Sequence, residues 1–170
     1  DPRDVLPDSE APLRARLTAY RNYNRTATAD ARLAGVQLDI EPYLLPGYRL
    51  NPDAWRDAYL ATVRLAREQL GSTVALDMVV PVWWGTDGHL GTRWLDAMAA
   101  PNVSLTVMNY HTEDAALMRG DAPLLDWTTR HDRHVTMALE LGPIPDETRW
   151  SFIRGPGNGE LWALPLEHHM

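Results

Sequence analysis

Five stretches of the chain, residues 34–41, 73–83, 103–110, 134–141 and 160–166, are short runs rich in Val, Leu, Met and Trp that lack strict polar alternation. Runs of this kind suit strands buried in a parallel sheet. Between the first two, Trp55, Tyr59, Val63, Ala66 and Leu70 recur at helical spacing, and Arg56, Asp57, Arg64 and Glu68 fall on the solvent-facing side. Asn51 is placed to cap that helix, Pro52 suits its first turn, and Gly71 ends it. Residues 9–25, with Leu13, Leu17 and Tyr20, carry a second helical stripe. Shorter helical patterns cover 92–100, 113–129 and 146–153, with Pro101, Pro123 and Gly155-Pro156-Gly157 as punctuation.

The resulting order, α-β-α-β-α-β-α-β-α-β, predicts an α/β fold with a parallel sheet and right-handed crossovers. A (β/α) barrel of TIM type is the expected architecture. A closed eight-stranded barrel typically takes about 250 residues, whereas this chain supplies five readable strands. The opening helix with no strand before it favours the later part of a barrel, so that residues 1–170 make a single barrel-type domain lacking its first strands. A small open sheet is the alternative. Open strand edges in either case need cover, from a second copy of the chain or from a missing segment.

Composition narrows the function classes. The 170 residues are 45% hydrophobic with a net charge of −7, enough to bury one core. All 16 basic residues are Arg and they are scattered among 23 acids, so no basic stripe marks a nucleic-acid path. No apolar stretch approaches the roughly 20 residues of a membrane span, and the polar start Asp1-Pro2-Arg3-Asp4 does not read as a signal peptide. Cysteine is absent, which excludes disulfides and thiolate metal sites and leaves localisation open between secreted and cytoplasmic.

Candidate chemistry sits where apolar runs end in acids. In Gln37-Leu38-Asp39-Ile40-Glu41, period two puts Gln37, Asp39 and Glu41 on one face of a strand and Val36, Leu38 and Ile40 on the other. Glu140 ends the run His134 to Leu141 in the same way. Acids at strand ends lie at the rim where barrels and open α/β sheets place their chemistry. Neighbouring carboxylates there raise each other's pKa, so Glu41 is expected to serve as a general acid tuned by Asp39. Capping of the next turn, or pairing with Arg, is the structural alternative for the same two acids.

The segment Asp39-Ile40-Glu41-Pro42 resembles the acid/base strand of TIM-barrel glycoside hydrolases. In family-18 chitinases a D-x-x-D-x-D-x-E run ends the fourth barrel strand, and the resemblance implies that Glu41 protonates the glycosidic oxygen with Asp39 assisting; Gln37 stands at the preceding Asp position. Glu41-Pro42 also resembles the acid/base of the retaining β-glycosidase clan, and Glu140, three strands later, then matches the nucleophile; Ile40 stands where that clan has Asn. Met108-Asn109-Tyr110-His111 is similar to the Met-x-Tyr segment of chitinase-like barrels. It implies that Tyr110 reaches the sugar-binding centre and Asn109 binds a hydroxyl, against a core role for Met108 and Tyr110. A carboxyl separation of about 5–5.5 Å would accompany retention, and about 6.5–9.5 Å inversion.

Asp77, in mid-run, needs a partner to be tolerated there. Tyr110, Glu41 or an Arg are the expected ones. Trp83 and Trp84 close the second strand run, where they are expected to stack on sugar or else to pack the core. Gln37 and His168 are further substrate-contact candidates. The reaction class needs no cofactor, and the expected partner is a carbohydrate. Two rivals stand beside it: a non-catalytic carbohydrate-binding or scaffolding barrel, and a metal-dependent hydrolase or phosphodiesterase using His111, His168 and the strand-end carboxylates. Gly155 to Gly159 lacks both the dinucleotide fingerprint and the Walker Lys, and reads as a loop.

Overall fold

The computed structural model describes residues 1–86, 94–100, 102–111 and 114–139. Four strands, β1 (Gly35–Asp39), β2 (Ala75–Pro81), β3 (Val103–Met108) and β4 (Val135–Ala138), form one parallel sheet in sequence order. The helices are α1 (Glu10–Thr26), α2 (Pro52–Leu70), α3 (Trp83–Thr86) and α4 (Asp114–His131), with residues 94–98 also helical. The mixed α/β reading therefore holds. The expected helix at 146–153 and the fifth run at 160–166 lie outside the described residues.

Alternation along the strands decides which face is covered. Val36 and Ile40 at β1, Leu76, Met78 and Val80 of β2, and Val103, Leu105 and Val107 of β3 are buried in one cluster with Leu13, Leu17, Tyr59, Val63, Ala66, Leu70, Leu124 and Trp127 of the long helices. Each Val, Leu, Ile or Met side chain among them contributes roughly 1.5–3 kcal/mol on leaving water. The intervening residues necessarily share the other face. In register, Gln37 stands opposite Asp77, Asp77 opposite Ser104, and Thr106 opposite Thr136. Of these, Gln37, Ser104 and Thr136 are exposed, as is Asp39.

The caps of α2 follow its sequence. Asn51 Oδ1 accepts from the Ala54 amide at 3.2 Å, and Gly71 leaves the helix at a φ of +69°, which favours glycine. Arg56 differs from its expected place on the wet side: its side chain is only 16% exposed and it pairs with Asp53 at 2.9 Å and Asp57 at 3.6 Å. Pro123 stands in mid-helix. It lies inside α4, within the expected 113–129 pattern, at the cost of one backbone hydrogen bond. A Cβ on Gly85 would stand 2.7 Å from Leu124 Cγ, so α3 and α4 meet at a separation that only glycine permits.

Candidate functional site

The site begins at the C-terminal end of β1. Ile40 turns inward and is buried, so Glu41 emerges on the side of Gln37 and Asp39. Pro42 then opens a short 3-10 turn, Pro42–Leu44, closed by the Leu44 amide donating to the Glu41 carbonyl at 3.0 Å. That turn brings Tyr43 back over Glu41, and the phenol donates to Glu41 Oε2 at 2.5 Å. The Tyr43 ring meets Trp83 edge-on with centroids 5.4 Å apart, and Tyr48 at 6.4 Å. Trp83 is 36% exposed and Tyr110 38%, so both rings are accessible at the rim.

Electrostatics tie the same residues together. Partial burial of the carboxyl pushes Asp39 up from its ordinary value, Glu41's charge adds to this, and the Asp1 amino group partly offsets it. The Tyr43 phenol is pushed far above its ordinary value, chiefly by burial, then by its hydrogen bond to Glu41 and by Glu41, Asp39 and Tyr110 nearby. It therefore remains a proton donor. Tyr43, which no motif or strand periodicity marks, is the residue around which Asp39, Glu41, Tyr110 and Trp83 gather. The one available signal was its place two residues after Glu41, with a proline between them to start a turn.

Asp77 has other partners than Tyr110, Glu41 or Arg. Ser104 Oγ donates to its Oδ1 at 2.6 Å, while Thr106 Oγ1 and Gln37 Nε2 each donate to Oδ2 at 2.7 Å. Gln37 Nε2 also reaches Thr106 Oγ1 at 3.2 Å. Gln37 thus joins Asp77 in a polar network across three strands, one step below the rim on the same sheet face.

Two expected ligand contacts become structural. Trp84 is 1% exposed, with its ring 3.9 Å from Trp94 and 4.9 Å from Tyr59, so it has no face to offer a sugar. Successive helical residues point about 100° apart, and once the chain turns into α3 at Trp83, the tandem Trp side chains separate into rim and core. Asn109 is fully buried; its Nδ2 donates to the Leu117 carbonyl at 3.1 Å and to Asp121 Oδ1 at 2.6 Å, joining the end of β3 to α4 instead of binding a hydroxyl.

Glu140 and His168 lie outside the described residues. His111 is exposed, and among the described residues no three His, Asp or Glu side chains are grouped to hold a metal ion. Two clefts lie away from the carboxylates. One of about 430 Å³, lined by Arg64, Arg67, Gly71, Ser72 and Asn102, opens at the N-terminal ends of β2 and β3; another, of about 750 Å³, runs along α1 past Ala11, Arg14, Ala15 and Thr18. No described helix is long and apolar enough to cross a membrane. No family model, curated protein or solved structure matches the chain.

Proposed function

We propose that the chain is an arc of a (β/α) barrel with a glycoside-hydrolase-type site that acts on a carbohydrate. Support for the arc comes from a parallel sheet in sequential order whose helices bury one face while the other carries Gln37, Asp39, Asp77, Ser104, Thr106 and Thr136. A doubly wound sheet would have helices on both faces. A polar face suits the inside of a barrel lined for a hydrophilic ligand.

The observation that carries the functional reading is the meeting of Asp39 and Glu41 with Tyr43, Tyr110 and Trp83 at the C-terminal rim of the sheet. A sugar ring lies against Trp83, and the carboxylates exchange protons with the glycosidic oxygen and with water. Glu140 is the further carboxylate in this reading, as nucleophile or as stabiliser of the developing positive charge. No cofactor enters that chemistry.

Hydrolysis of a panel of 4-nitrophenyl glycosides and natural oligosaccharides tests it. Glu41→Gln is expected to lower turnover of natural substrates about 10²–10⁴-fold, the typical contribution of a proton-transfer group, and to spare activated glycosides more. Unchanged turnover of both would end the assignment. Oligosaccharide binding by calorimetry with no turnover by the unaltered chain would make it a binding protein instead.

A further inference from the structure

We propose that Gln37, Asp77, Ser104 and Thr106 form a floor beneath the rim that offers a ligand only hydrogen-bond acceptors, and that it selects a carbohydrate carrying a protonated amine. This deepens the carbohydrate reading by naming a substrate class, and its place in catalysis rests on that reading.

Every donor of the network is engaged within it. Ser104 Oγ gives its one hydrogen to Asp77 Oδ1 at 2.6 Å, and Thr106 Oγ1 gives its own to Asp77 Oδ2 at 2.7 Å. The Gln37 amide nitrogen carries two hydrogens; one goes to Asp77 Oδ2 at 2.7 Å and the other to Thr106 Oγ1 at 3.2 Å. Lone pairs are what remain, on Ser104 Oγ, on Gln37 Oε1 and on Asp77 Oδ1, which has accepted only once. Gln37 and Ser104 are exposed and Asp77 and Thr106 half-buried, so a ligand reaches them from the open face of the sheet. A group that settles there must donate.

Charge narrows the donor further. Asp77 accepts from three neutral groups, and among the described residues no Arg or His forms an ion pair with it. The four strands themselves contain no basic residue, and the Asp1 amino group is turned to the Asp39 carbonyl at 3.0 Å. A sugar hydroxyl brings one hydrogen and two lone pairs, and its lone pairs meet no donor on this floor. An ammonium brings three hydrogens, no lone pair and a charge opposite to that of the carboxylate. Hydrogen bonds between ionised groups are roughly twice as strong as those between neutral ones. Gln37 lies two residues before Asp39, about 7 Å down the strand, so a single sugar ring spans the step from the rim acids to the floor.

Calorimetry on the full chain tests this with oligosaccharides of glucosamine, their N-acetylated counterparts and cello-oligosaccharides, which share a skeleton and differ at one ring substituent. The amine form is expected to bind about 10–100-fold more tightly than either neutral form, the range of a hydrogen bond to a charged group. Asp77→Asn brings that ratio toward one. Gln37→Lys does the same by setting a cation beside Asp77, and it serves even if Asp77→Asn does not fold. Glu68→Gln, an equal change of net charge at an exposed position on α2, leaves the ratio in place. Equal affinity for the three ligands, no binding of the amine form, or a ratio that survives both Asp77→Asn and Gln37→Lys overturns the proposal, as does a ratio that Glu68→Gln lowers equally. Turnover of neutral glycosides without preference for the amine would end this inference and leave the hydrolase reading standing. Amine-selective binding without turnover would do the reverse.

Discussion

Asp39 is held in a form that costs the fold. Its native pKa lies above the ordinary carboxylate value of 3.8 because burial and the charge of Glu41 both disfavour ionisation. A carboxyl raised in the folded state binds its proton more tightly there than in the unfolded chain. Its favourable contribution is complete below 3.8 and is lost as pH climbs from 3.8 through the higher native value. Once ionised, Asp39 carries a charge that burial and Glu41 both oppose. Asp39→Asn is expected to raise the melting temperature at pH 7, with the gain shrinking as pH falls toward 4. Equal melting at pH 7, or a gain that persists undiminished in acid, would contradict this account.

Elements were readable in the sequence wherever one face was buried. The four described strands fall within their apolar runs, and α1 and α2 lie within a residue or so of their stripes, because alternation and 3.6-residue spacing directly record burial. Caps were equally plain at Asn51 and Gly71, whose chemistry is local. Within the site, Asp39, Glu41, Trp83 and Tyr110 were legible as strand-end residues. What stayed hidden depended on the path of the chain after each strand: the turn that returns Tyr43 to Glu41, the start of α3 that separates Trp83 from Trp84, and the packing of α4 that engages Asn109. The last of these is testable at Gly120, where an added Cβ would stand 2.8 Å from Val82 Cγ2 and 3.2 Å from Asn109 Nδ2. Gly120→Ala is expected to cost about 1–3 kcal/mol in urea unfolding, as overpacking does. A neutral or stabilising effect would mean that α4 moves away from β3 freely and that Asn109 is no lock.

For the whole molecule, the sheet's margins decide how the chain exists in solution. β2 and β3 are paired on both sides, while β1, among the described residues, pairs only with β2. An unpaired edge exposes alternate backbone groups to water and offers a template to another strand. Hydrogen exchange separates the two cases. Amides of β2 and β3, which lie over the cluster formed by Leu76, Met78, Val80, Leu105 and Val107, are expected to exchange only through global opening, and a share of those in β1 much faster, through local fluctuation. Were β1 as protected as β2, some strand must cover it. If a second copy supplies that strand, protection of β1 falls on dilution together with the mass measured by sedimentation. Cover from within the same chain leaves both independent of concentration. Slow exchange in β1 at every concentration would then mean that the edge left open among the described residues is covered within the chain, and would count against the proposed arc.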